Sequence, residues 1–170
     1  MWWSELIQRL GDNADVIAAL GRGVGEVQGR WRPEEGQWSF VEVLNHLADE
    51  EVEDFRTRLR MTLEHPEREW QPIDPEGWAA ERAYRSRNVE ESLQRFLTNR
   101  EESIAWLTTL RDPDWTACHV REGGERITAG DLLASWVGHD FIHIRQLNRL
   151  HRQYLLHSVL DFSPDYAGSW

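Results

Sequence analysis

Cysteine is nearly absent from this sequence, since Cys118 is the one example among 170 residues. A single cysteine forms no internal disulfide and offers no thiolate cluster to zinc. Any metal site in the chain would therefore have to be built from histidine and carboxylate side chains.

Long apolar runs and basic segments are also missing. No stretch approaches the roughly 20 apolar residues of a membrane span, and the N-terminal MWWSELIQRLGDNADV carries acids and has no signal-peptide core. The 19 Lys and Arg stand against 30 Asp and Glu, a net charge of −11, which disfavours a nucleic-acid partner. We therefore expect one domain over residues 1–170 that is cytoplasmic and binds neither membrane nor nucleic acid.

The hydrophobic periodicity is helical, and no alternating run of β-branched residues predicts a strand. Helix-capping patterns begin at Ser39, Asn88 and Thr128. We predict an all-α four-helix bundle with long connections, and a short helix near 76–84 in one of them. The four long helices are predicted over residues 2–29, 39–63, 88–110 and 129–154.

Tryptophan is abundant, with ten residues in the chain. Side chains this large are expected to build much of the core rather than to stack on a ligand. The residues predicted for this role are Trp2, Trp3, Trp38, Trp78, Trp106, Trp115 and Trp136.

Two histidines one helical turn apart, His139 and His143 in WVGHDFIHIRQL, fall within the apolar stripe of the last helix. A buried imidazole needs a hydrogen bond or a metal for its ring nitrogens, and a pair at this spacing can present both rings to one ion. The stripe that they share contains Leu132, Trp136, His139, His143, Leu147 and Leu150.

A third ligand would have to come from another helix of the bundle. His46 in WSFVEVLNHLADEE is the best candidate, although it lies at the margin of its apolar arc, so the pattern permits an inward orientation without requiring it. The remaining histidines are expected to be solvated or capping, because they lie in a loop or near helix ends. These are His65, His119, His151 and His157.

Three polar residues near these histidines have two interpretations each. Asp140 lies in the apolar arc and either orients a ligand imidazole or pairs with an arginine of a neighbouring helix. Gln146 either contacts a substrate from beside His143 or lies on the surface. Glu50, one turn after His46, is either a general base or a solvated helix-face residue.

The segments WSFVEVLNHLADEE, DPDW and GERITAGDLLASWVGHDFIHIRQL resemble the DinB superfamily of YfiT-like metal-dependent hydrolases in order and spacing. The resemblance covers nearly the whole chain. It implies a four-helix bundle that holds a divalent metal, often zinc or nickel, with three histidines, which correspond here to His46, His139 and His143. It also implies a homodimer, and some relatives are transferases or isomerases that use a low-molecular-weight thiol such as bacillithiol, mycothiol or glutathione.

Three neutral histidines leave open coordination positions, as in catalytic zinc sites, where water or a thiol can bind and lose its proton. Three hypotheses follow. The protein is a metal-dependent enzyme, either a thiol-dependent transferase or a hydrolase acting on a small molecule; or it is a metal- or ligand-binding stress-response protein without turnover; or it is a structural bundle whose histidines satisfy one another.

Overall fold

A computed structural model of the chain describes residues 1–159 and 161–168. This part of the chain contains four long helical stretches, which confirms the predicted bundle. Shorter helices, α2 (Glu26–Arg30) and α5 (Pro75–Glu81), lie in the connections, with 3-10 turns at Tyr84–Ser86 and Asp165–Ala167. The long stretches are α1 (Trp2–Gly21), α3 (Phe40–Glu50) continued through a π-helical segment (Glu51–Arg56) into α4 (Thr57–Glu64), α6 (Val89–Thr109) and α7 (Ala129–Ser158).

Helices that are neighbours in the bundle are not always neighbours in sequence. Helix α1 packs against α6 and α7, while α3 packs mainly against α6, and α4 packs against α7. The long connections make this order possible because they can cross the ends of the bundle. Within the described residues, no helix is long and apolar enough to cross a membrane.

The predicted caps open three of the long helices. Ser39 forms a capping box with Glu42 at the start of α3, and Thr128 forms one with Asp131 at the start of α7. The side chain of Asn88 accepts a hydrogen bond from the backbone N–H of Glu91 at the start of α6. These bonds satisfy backbone donors that a helix N-terminus leaves free.

Two sequence predictions about the fold were wrong in detail. The predicted first helix, 2–29, is broken after Gly21, because Gly23 adopts a positive φ of 80° and the chain turns before α2. The connection after α6 is not free of strands, since β1 (Cys118–Val120) pairs antiparallel with β2 (Arg126–Thr128). Strands of three residues are too short to show an alternating pattern.

The apolar core consists of two clusters, and a polar layer lies between them along the helices. In α7, Trp136 belongs to one cluster and Leu147 to the other, with His139, Asp140 and His143 in between. The other long helices repeat this arrangement. Their buried polar residues between the two clusters are Asn13 in α1, Asp49 and Glu50 at the end of α3 with Glu51 directly after it, and Arg100 and Ser103 in α6.

The tryptophans contribute to the core unevenly. Trp136 and Trp78 are buried, whereas Trp2 is 48% exposed and packs edge-on against Trp3. The other predicted core tryptophans are partly buried against the two apolar clusters: Trp3, Trp38, Trp106 and Trp115.

Candidate metal centre

Three imidazoles from two helices meet in the polar layer. The Nε2 atom of His46 on α3 lies 3.3 Å from that of His139 and 3.1 Å from that of His143, both on α7. The Nε2 atoms of His139 and His143 are also 3.1 Å apart. The structure thus brings together the three histidines that the sequence singled out, with one nitrogen of each facing a common point.

Hydrogen bonding within the described residues leaves one buried nitrogen of these rings without a partner. A neutral imidazole has one N–H and one lone pair. The amide Oε1 of Gln146 lies 2.8 Å from Nδ1 of His143, and because an amide oxygen only accepts, Nδ1 carries the proton and Nε2 carries the lone pair. In His46, Nδ1 is buried and has no hydrogen-bond partner within residues 1–159 and 161–168.

Burial keeps two of these rings neutral. It lowers the pKa of His46 to about 4, against an opposing attraction from Glu50. Burial, reinforced by the neighbouring rings of His139 and His46, lowers the pKa of His143 to about 3. At neutral pH both imidazoles are therefore in the uncharged form that binds metals.

Glu50 adds a carboxylate to the same point. Its Oε2 lies 2.9 Å from Nε2 of His139 and 3.7 Å from Nε2 of His46. The side chain is buried, so the solvated role considered for it is not what the structure shows. Burial alone would raise the pKa of Glu50, but the hydrogen bond from His139 and the nearby rings hold it below the usual value, so Glu50 is an anion at neutral pH.

Asp140, between the two α7 histidines, faces a different partner. Its two carboxylate oxygens each accept a hydrogen bond of 2.8 Å from the guanidinium of Arg100, and one also accepts from Asn13 at 3.2 Å. Of the two roles left open by the sequence, the structure shows the ion pair with an arginine of a neighbouring helix. Arg100 also pairs with Glu51, the residue after Glu50.

Sequence reasoning missed Arg100 and Glu51, although a signal was present. Arg100 lies on the apolar stripe of α6 at helical spacing from Phe96 and Leu107. A charged residue in such a stripe indicates a buried partner, just as the inward position of Asp140 did.

A groove borders the histidine cluster on one side. It has a volume of about 640 Å³, and its wall includes Trp38, His143, Gln146 and Arg149. The ring of Trp38 lies 4.7 Å from that of His46, so it packs against one ligand candidate, and it also lines the groove. A small molecule in this groove would lie beside His143 and Gln146.

The other four histidines lie elsewhere. His65 is the C-cap of α4 and is partly buried, and His157 stacks on Trp31. His151 contacts the carbonyl oxygen of Leu20 at 2.7 Å, in keeping with the capping role expected for it. His119 departs from expectation, because it is buried on β1 and stacks on Trp70 at 4.2 Å rather than lying solvated in a loop.

Comparisons with known proteins agree with this fold. A family model described as the DinB superfamily matches residues 9–147. The chain is similar to the solved structure of YfiT from Bacillus subtilis, described as a probable metal-dependent hydrolase with an unusual four-helix bundle topology, with a TM-score of 0.79 and 22% identity over 89% of this chain and 87% of YfiT. At this identity the likeness establishes the fold alone. Among curated proteins, none matches the sequence.

Proposed function

Because this chain belongs to the DinB superfamily, we propose that His46, His139 and His143 hold one divalent metal with open coordination positions and that the protein is a metal-dependent enzyme. The observation that carries the proposal is the convergence of three Nε2 atoms within 3.3 Å of one another. Nitrogen ligands about 2.0–2.1 Å from a zinc ion stand this close together around it. Imidazole ligands suit zinc and nickel among the divalent metals.

When bound, a divalent metal would lower the pKa of a water or thiol at an open position, which serves either hydrolysis or thiol transfer. The chain's own residues supply the rest. Glu50 is the base that takes the proton from the attacking water or thiol, because its buried carboxylate lies 2.9 Å from Nε2 of His139. Gln146 holds His143 in the tautomer whose Nε2 faces the centre. The groove beside Trp38 receives the small-molecule substrate.

One observation favours a second candidate, a metal-binding protein without turnover. The carboxylate of Glu50 is close enough to the common point to occupy a fourth position itself. A site with four protein ligands is closed, as structural zinc sites are. A metal-binding stress-response protein would have this arrangement.

Metal analysis of purified variants tests the ligand set. We expect one zinc or nickel per chain in the wild type, and loss of stoichiometric metal in His46→Ala, His139→Ala and His143→Ala. The matched controls His119→Ala and His151→Ala should retain it, because their rings bond elsewhere. Full occupancy in His143→Ala together with loss in His119→Ala would show that the site is wrongly placed.

The Glu50→Gln variant separates the two candidate functions. If Glu50 is the base, the variant keeps its metal, and its rate falls by about 100-fold or more in a screen of ester hydrolysis and of thiol addition to electrophiles. If Glu50 is a fourth ligand, the variant binds metal more weakly and the wild type shows no turnover in that screen. Metal content and rate are measured on the same preparation.

The expected homodimer and cytoplasmic location stay predictions. Two neighbouring apolar side chains on α7 support the first, because Phe141 and Ile142 are more than half exposed beside the histidines. Sedimentation at tens of micromolar, roughly where obligate dimers persist, checks it. A monomer alone at that concentration would contradict it.

A further inference from the structure

Arg100 uses its whole donor capacity inside the bundle. The side chain is 1% exposed and has five N–H groups. Nε and Nη2 each donate to Glu51 at 2.8 Å, Nη1 and Nη2 each donate to Asp140 at 2.8 Å, and Nη1 also donates to the carbonyl oxygen of Leu10 at 2.9 Å. A residue of α6 is thereby joined to α1, α7 and the segment that follows α3.

The two acceptors of Arg100 are chain neighbours of two residues in the candidate metal centre. Glu51 follows Glu50, and Asp140 follows His139. Each acceptor has another partner as well, since Nε1 of Trp136 donates to Glu51 at 2.9 Å and Nδ2 of Asn13 donates to Asp140 at 3.2 Å. A displacement of either carboxylate would move the backbone that carries a residue of the centre.

Stability does not account for this cluster. One guanidinium and two carboxylates are buried together, which leaves a net negative charge between the two apolar clusters. Buried ion-pair clusters are often no more stabilising than apolar side chains of similar volume, because removing the charges from water costs about as much as their attraction gains. Such a cluster fixes the relative positions of the helices through directional hydrogen bonds, which an apolar layer does not have.

We propose that Arg100 is a positioning residue for the metal centre: by bridging Glu51 and Asp140 it holds the end of α3 at the distance from α7 at which His46 and His139 face one ion. The inference rests on the metal binding proposed above. It assigns to Arg100 an effect on metal affinity that is separate from its effect on folding.

Arg100→Lys tests this role because lysine keeps the charge but cannot bridge two carboxylates with a planar fork. We expect the zinc affinity, measured by competition with a chelator, to fall at least tenfold, the range found when second partners of metal ligands are removed. The absorption of the cobalt-loaded variant should also change, since it reports the coordination geometry. Leu107→Ala is the matched control: it removes a buried side chain on the same helix and destabilises the bundle, but its zinc affinity should stay within about twofold of the wild type.

The triple variant Arg100→Met, Glu51→Gln, Asp140→Asn removes the whole charged cluster and leaves no unpaired buried charge. It is expected to unfold at a denaturant concentration close to that of the wild type and still to bind zinc at least tenfold more weakly. Wild-type zinc affinity in the triple variant or in Arg100→Lys would overturn the positioning role and leave the proposed function intact. A wild-type protein that binds no zinc would overturn both.

Discussion

Every N–H of the Arg100 guanidinium donates to an oxygen. In the same layer, by contrast, the Nε2 atoms of His46, His139 and His143 converge on one point. The two clusters alternate on the same backbone. Glu50 and His139 belong to the histidine cluster, and the next residues, Glu51 and Asp140, belong to the other, because consecutive helical residues point roughly 100° apart.

The difference separates a structural role from a binding role. A buried polar group normally has its hydrogen bonds within the protein. Around Arg100 the hydrogen bonding is complete within the protein, so the cluster needs no ligand. Where possible ligands converge on one point, as the Nε2 atoms of His46, His139 and His143 do, the arrangement supports the proposed cation. Burial alone therefore does not identify a site; the convergence of possible ligands does.

The largest expected effect comes from disrupting the fully hydrogen-bonded cluster around Arg100. Asp140→Ala removes the acceptor of two hydrogen bonds from Arg100 and one from Asn13, and it should lower the free energy of unfolding by about 3–5 kcal/mol because these buried donors lose their partner. His143→Leu, measured in excess chelator, should change it by less than about 1.5 kcal/mol, because an apolar side chain of similar size replaces a neutral ring and no ion pair is broken. Urea denaturation of both variants checks the comparison, and a larger loss in His143→Leu would reverse our assignment of the two clusters.

Another buried carboxylate, that of Asp49, sharpens the comparison through its pH dependence. Asp49 accepts hydrogen bonds from Tyr84, Arg82 and Arg95. Burial alone would raise its pKa, but these partners hold it below the ordinary value of 3.8. Because the folded pKa is depressed, its stabilisation is present above that value and is lost as the pH falls through the folded pKa.

Asp49→Asn should therefore lower the free energy of unfolding by about 2 kcal/mol at neutral pH, the scale of hydrogen bonds to a charged group. Denaturation at successively lower pH should show the wild type and the variant converging below the ordinary pKa. The exposed Asp15 provides the control, since Asp15→Asn should be neutral throughout. A gap that stays constant down to the lowest pH would contradict the assignment.

The smallest effect concerns the outer partner of the histidine cluster. Gln146→Ala removes the acceptor that fixes the tautomer of His143, so the metal affinity should fall about tenfold, or about 1.4 kcal/mol. Gln153 lines the same groove, and Gln153→Ala should leave the affinity unchanged. Isothermal titration with zinc measures both. Equal affinities in the two variants would mean that the bond to Gln146 does not orient the ring.

The sequence predicted the features that depend on local spacing. The capping boxes at Ser39 and Thr128 and the pair His139 and His143 are each complete within five residues, so one helix suffices to place them. The inward orientation of His46 did not follow from the pattern alone, because the width of the buried face of a helix depends on how many neighbours pack against it. Every residue from Phe40 to Glu50 is buried, so a residue at the margin of the arc faces inward as well.

Features that depend on distant partners were beyond local reasoning. The bond from Arg100 to Asp140 joins residues 40 positions apart, and no spacing rule relates them. The hairpin formed by β1 and β2 was missed because three-residue strands carry little pattern, and the two glycines at its turn, Gly123 and Gly124, both with positive φ, are equally typical of a loop. The burial of His119 was also missed, because it depends on a distant partner in the sequence, Trp70.

The π-helical segment Glu51–Arg56 has a consequence for comparing this chain with others. Hydrogen bonds to the fifth residue place about one extra amino acid in a turn, so the α3–α4 stretch contains a residue that an uninterrupted α-helix between the same end points would lack. Relatives with a regular helix here should require a one-residue gap between His46 and Leu59. An ungapped alignment that matches His46 correctly would shift every position beyond the segment by one residue. An ungapped alignment that matches the positions beyond the segment would instead misalign His46.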